Sequence, residues 1–160
     1  RTSWQTTFQG LFIVAEFNKH FKGNTVVLPD TAESTFGSFI GNWIQSNNYT
    51  RSDLIKMDDP SFEKEFVVYG TNQIEAHYIL THAMMERLVQ LRKRAGEKVS
   101  VSFHGTHIYI AIDYREDLFE PKLFSSLLDY RGTMAYIQTL HLATSIIKEL
   151  KLNERLWSKH

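Results

Sequence analysis

The sequence predicts an α+β domain: a mainly antiparallel sheet of five or six strands, covered by two long helices, with shorter helices besides. Three observations carry this. Residues 98–114 alternate apolar and polar side chains on either side of Gly105-Thr106, the pattern of a hairpin with one covered face and one mostly polar face. Residues 133–150 carry an apolar stripe at the period of a helix. The 160 residues, 42% hydrophobic and 13% aromatic, are enough to bury one core, so residues 1–160 are expected to form a single domain.

Each element follows from its own residues. Phe8, Leu11, Phe12, Ile13, Val14 and Phe17 predict a long first strand over residues 4–17, because β-branched and aromatic side chains dominate and Gly10 weakens a helix. Residues 18–24 read as a polar, basic turn. Thr25-Val26-Val27-Leu28 predicts a short second strand, stopped by Pro29-Asp30. Over residues 34–47, Phe36, Phe39, Ile40, Trp43 and Ile44 form a helical stripe. Gly37 and Gly41 interrupt it, each at about 1 kcal/mol relative to Ala. A helix this short needs packing to persist.

Leu54-Ile55-Lys56-Met57 predicts a third strand. Asp59 and Pro60 predict the cap and first position of a one-turn helix. Phe66-Val67-Val68-Tyr69 predicts a fourth strand, closed by Gly70. Thr71 or Asn72 caps the next helix. Thr81 caps another that runs to Ala95, with Met84, Leu88, Leu91 and Ala95 on one side and Gly96 past its end. In the hairpin, Val99, Val101 and Phe103 share a face with Ile108, Ile110 and Ile112 across a two-residue turn. The last helix is expected to turn Tyr136, Leu140, Ala143, Ile147 and Leu150 toward the sheet.

Composition narrows the function classes. Lys plus Arg number 18 and Asp plus Glu number 18, so the chain is neutral. This argues against a nucleic-acid partner, which calls for a basic excess. Arg92, Lys93, Arg94 and Lys98 cluster as cations do near the negative end of a helix dipole. With no cysteine there is neither a disulfide framework nor a thiol nucleophile. No run approaches the ~20 apolar residues that span a bilayer. There is no signal peptide and no initiating Met, so a soluble piece of a longer protein is expected. No G-x-S-x-G, G-x-G-x-x-G or Walker loop is present.

Four sets of residues remain as candidates. His104 and His107 flank the hairpin turn and are expected to face one another, as two ligands of a metal site would. Zinc needs a third ligand, for which His77, His82 and Asp113 are the candidates. The competing reading is two exposed loop histidines, and no metal or other cofactor is expected. His77 and His82 stand five apart, with Glu75 and Glu86 outside them, so the H-E-x-x-H pattern fails. Asp58, Asp59, Glu63 and Glu65 are carboxylates of the kind that proton chemistry uses, but they equally suit a helix start, and that reading is preferred. Phe36, Phe39 and Trp43 share one side of their segment. They are candidates for a surface that docks a protein or lipid head groups, against ordinary core packing.

Several strings carry a resemblance. Phe62-Glu63-Lys64-Glu65-Phe66-Val67-Val68-Tyr69, Gln73-Ile74-Glu75-Ala76-His77-Tyr78-Ile79-Leu80-Thr81, Tyr109-Ile110-Ala111-Ile112 and Asp117-Leu118-Phe119-Glu120-Pro121 follow in that order. Upstream stand Phe8-Gln9-Gly10-Leu11-Phe12, Phe17-Asn18-Lys19 and Thr25-Val26-Val27-Leu28-Pro29-Asp30. Together they resemble a bacterial family called domain of unknown function 3137. The resemblance covers most of the chain but not residues 34–50. It departs at His77 and His82, where the family pattern has Arg and Pro. It implies a soluble domain behind two membrane-spanning helices, on the cytoplasmic side of the bacterial inner membrane, and it implies no activity. With the aromatic stripe and the missing catalytic motifs, it leads us to expect a non-catalytic protein-interaction or regulatory module of a membrane-anchored protein. Its partner would be a protein, with the membrane surface as a second contact. The alternative is an uncharacterised hydrolase or metal-dependent enzyme using His104, His107 and nearby carboxylates.

Overall fold

The computed structural model describes residues 10–16, 20–30, 53–95, 99–113, 134 and 137–148. The aromatic segment with Phe36, Phe39 and Trp43 lies outside the described residues, as does the string 117–121. Nine elements follow in chain order: β1 (Gly10–Glu16), β2 (Thr25–Pro29), β3 (Asp53–Ile55), α1 (Pro60–Glu63), β4 (Phe66–Gly70), α2 (Gln73–Ile79), α3 (His82–Ala95), β5 (Val99–His104) and β6 (His107–Asp113). Residues 137–148 form a further helix, α4. Among the described residues no helix is long and apolar enough to cross a membrane.

The architecture is α+β. One six-stranded sheet runs in the order β1-β6-β5-β2-β4-β3, and every pairing is antiparallel. The β5–β6 hairpin lies inside it, with β1 on one side and β2 on the other, and in it His104 stands opposite His107 and Val101 opposite Ile110. Gly105 takes φ 58, the positive value that the first central residue of such a two-residue turn requires.

Strand periodicity sends every second side chain to one face. Val99, Val101, Phe103, Ile108, Ile110 and Ile112 all point to the helix-covered face and are fully buried. Val27, Phe66 and Val68 continue that face across β2 and β4. The helices meet it with Phe62, Ala76, Ile79, Met84, Leu88 and Leu91, in one contiguous core. On α3 the buried Met84, Leu88 and Leu91 follow the expected stripe, and Ala95 is partly buried.

Three expectations need correction. On α4 the buried positions are Thr139, Ala143 and Ile146, while Leu140 and Ile147 are half-buried. Aliphatic side chains crowd this helix at 137, 140, 142, 143, 146 and 147, so two helical stripes overlap at Ala143 and spacing alone does not choose between them. The third strand stops at Ile55, because the Glu63 carboxylate accepts the Met57 N–H at 2.8 Å and holds that residue out of the ladder. The second face of the sheet is not wet throughout. Val26, Leu28 and Ser102 alternate onto it and are buried, although Val26 and Leu28 stand apart from the main core cluster. Ser102 is the cost of that cover: its Oγ is buried without a hydrogen-bond partner.

Replacing Ile146 by Ala is expected to cost about 2–5 kcal/mol in chemical denaturation, as truncation of a fully buried aliphatic does. Leu140→Ala is expected to cost about 1 kcal/mol. Equal losses would reject the inward face assigned to α4.

Candidate functional site

The sheet end that carries the hairpin turn gathers polar residues from three segments. His104 and His107 do face one another, as the turn geometry requires. His104 Nδ1 contacts Asn24 Oδ1 from the segment before β2. His107 Nδ1 lies 3.1 Å from Thr106 Oγ1, and its ring stacks on Tyr109 at 5.9 Å between centroids. Glu16 stands opposite His107 in the β1–β6 register. The two histidines are thus each held by a neighbour. No three His, Asp or Glu side chains among the described residues are grouped to hold a metal ion. His77 and His82 lie on α2 and α3, and Asp113 sits at the opposite end of β6.

The segment before β2 is fixed from two sides. The Phe21 N–H donates to the Gly105 carbonyl at 2.7 Å, and the Phe21 ring packs edge-on against Phe103. From the other side, α2 reaches across. Asn72 caps it, accepting the Glu75 N–H at 3.0 Å. In a capping box the third residue turns back to its own cap. Glu75 instead reaches outward and accepts the Lys22 N–H at 2.8 Å and the Gly23 N–H at 2.6 Å. Thr71 adds a two-way contact: its Oγ1 accepts the Asn24 N–H at 2.9 Å and its own N–H donates to the Asn24 carbonyl at 3.0 Å. A Cβ at Gly23 would come within 2.8 Å of Asn72 Cβ, so only glycine permits this approach.

The acidic cluster is also engaged in structure. Asp59 Oδ1 caps α1, accepting from Ser61 N at 2.8 Å and Phe62 N at 3.1 Å. Its Oδ2 lies 3.2 Å from His82 Nδ1, whose other ring nitrogen lies 3.5 Å from Glu86. Glu65 pairs with Arg92 at 3.2 Å, and the guanidinium lies over the Phe66 ring at 5.4 Å. Arg92 Nη1 is buried with no hydrogen-bond partner. An open groove of about 800 Å³ runs between α1 and α3. Met57, Leu80, Met85 and Val89 form its apolar floor, and Asp58, Asp59, Glu86, His77, His82 and Lys93 stand around it. The groove thus brings the two helix histidines together, but His82 already lies between two carboxylates.

A different surface carries unburied apolar area. Among the described residues β1 is an edge of the sheet, and Phe12 and Val14 on its outer face are 57% and 50% exposed. Phe12 stacks on Tyr109 at 6.2 Å. Ile74 and Tyr78 are likewise exposed on α2. Motif reading passed over both Glu75 and this strip. Their signals were present: Asn72 and Glu75 at capping-box spacing, and four consecutive apolar residues, Leu11 to Val14, which a strand with one wet face does not need.

The family model described as "Protein of unknown function (DUF3137)" matches residues 6–152. No curated protein and no solved structure matches the chain.

Removing the Glu75 carboxylate deletes two charge-assisted bonds and leaves two backbone donors without their acceptor. Glu75→Ala is expected to lower stability by about 2–3 kcal/mol. Hydrogen exchange at the Lys22 and Gly23 amides should speed up selectively; unchanged exchange there would refute the clamp.

Proposed function

The chain belongs to the DUF3137 family of proteins of unknown function, and we propose that it works by contact, as a non-catalytic interaction or regulatory module of a membrane-anchored bacterial protein. The observation that carries this reading is the exposed strip of Phe12 and Val14 on an edge strand, extended by the stacked Tyr109. Apolar side chains exposed side by side on a sheet edge favour association, since pairing covers both the side chains and the strand's outward backbone groups. The carboxylates support the same reading from the other direction. Asp59, Glu63 and Glu75 hold backbone N–H groups, and Glu65 holds Arg92. Membrane anchorage on the cytoplasmic side rests on the family resemblance. Phe36, Phe39 and Trp43 remain part of the proposal as a second docking surface.

The enzyme reading draws on His104 facing His107. It requires a metal or a substrate at the hairpin turn, and elemental analysis with chelation separates the two readings. Under the contact reading, a chelator leaves the melting temperature unchanged. Stoichiometric zinc, manganese or iron, lost in His104→Ala, would instead establish the metal-dependent alternative.

The contact reading is tested by cross-linking in the native host followed by mass spectrometry. Wild type should yield a reproducible protein partner, and Phe12→Ser/Val14→Ser should lose it while retaining its melting temperature. Cross-links that survive the double substitution would remove β1 from the proposal.

A further inference from the structure

The two edges of the sheet differ in kind. β3 is three residues long, with Asp53 and Leu54 exposed and Ile55 buried, and is followed by Lys56. Short length and flanking charge are how an edge strand is kept from pairing with another chain. β1 is less protected, with a charge only at its last residue, Glu16. It is seven residues long, and Gly10 to Ala15 contain no charge and no proline. Its outer-face side chains Phe12 and Val14 are more than half or half exposed, and the inner-face Leu11 and Ile13 are only partly buried against the core. Among the described residues such a strand has no neighbour on its outer side, an edge that another strand completes.

Resting on the contact reading above, we infer that the occupant of this edge is a second copy of the same chain, joined β1 to β1 in antiparallel register about Ile13. The strand's own pattern supports this. A two-fold axis at Ile13 sets Phe12 opposite Val14 of the second copy, and Val14 opposite its Phe12. Both pairs fall on the outer face, as aromatic–β-branched neighbours that stabilise antiparallel strands. Leu11 falls opposite Ala15 on the helix-covered face, where it extends the apolar layer. The strand's single charge, Glu16, falls opposite Gly10, which has no side chain to oppose it. No like charges meet in this register. A parallel pairing in register would place Glu16 beside Glu16, which is unfavourable. The contact is isologous, so it closes at two copies and does not propagate. The two sheets become one continuous sheet with β1 at its middle, and the helices of both copies lie on the same side. A single strand pair is a small interface, so the dimer is weak and concentration-dependent.

Sedimentation equilibrium of this chain into the high-micromolar range is expected to show a monomer–dimer equilibrium. Val14→Lys, which sets a charge on the exposed edge, should leave the melting temperature unchanged and give monomer throughout. The chain has no cysteine, so register is read directly by disulfide formation. A mixture of Phe12→Cys and Val14→Cys chains should form the mixed disulfide faster than either forms its own. Wild type that stays monomeric overturns the inference, as does a dimer untouched by Val14→Lys or a mixture without preference for the mixed disulfide. Monomer with partner cross-links retained sinks this inference alone. Monomer with no cross-linked partner sinks the contact reading as well.

Discussion

Six side chains of one hairpin set the frame on which the other elements are built: Val99, Val101 and Phe103 on β5, and Ile108, Ile110 and Ile112 on β6. All six lie on one face because side chains alternate along a strand. A slip of one residue would turn all of either strand's set toward the other face. The turn at Gly105 holds that register. β5 then receives β2 on one side, β6 receives β1 on the other, and β4 and β3 extend the sheet beyond β2. The helices contribute Met84, Leu88 and Leu91 from α3 and Ala143 and Ile146 from α4 against a surface whose shape the hairpin has already defined.

The second constraint is polar. The segment Phe21–Asn24 lies between the hairpin turn and the start of α2, and backbone groups along it need partners. Gly105 supplies a carbonyl to one side; Glu75 and Thr71 supply oxygen acceptors to the other. That arrangement explains why a carboxylate near the start of a short helix does not close on its own cap. The same use of acids recurs at α1, where Asp59 and Glu63 hold the corner between β3 and the helix. Acidic side chains here shape the backbone.

Much of the fold was legible because its signals are local. The hairpin declared itself by strict alternation about Gly105-Thr106, α1 by Asp59-Pro60, and α3 by the stripe from Met84 to Leu91. Facing histidines at the turn followed from loop length alone. Strand order was not legible, since β2 inserting between β5 and β4 depends on long-range packing. The inward face of α4 was missed because its aliphatic residues wrap more than one stripe, and packing made the choice. The cover over Val26, Leu28 and Ser102 was missed because Ser102 reads as a solvent-facing position in an alternating strand. Of the site, Glu75 was not legible: its spacing from Asn72 announces at most a local bond, whereas its actual partners are about fifty residues away. The aromatic strip on β1 was read only as strand propensity. Four apolar residues in a row marked both faces of that strand as sticky, and only the sheet order shows that it lies at an edge.

The pairing of β1 with β6 also orders events in time. Ile13 lies opposite Ile110, so the first strand meets its neighbour only after about a hundred further residues have been made. At ~5–20 residues per second, a ribosome leaves it waiting for roughly 5–20 s. During that interval Leu11 to Val14 trail from the nascent chain as a short, greasy, partnerless stretch. A chaperone that shields this segment until the hairpin emerges would protect the yield of the whole domain.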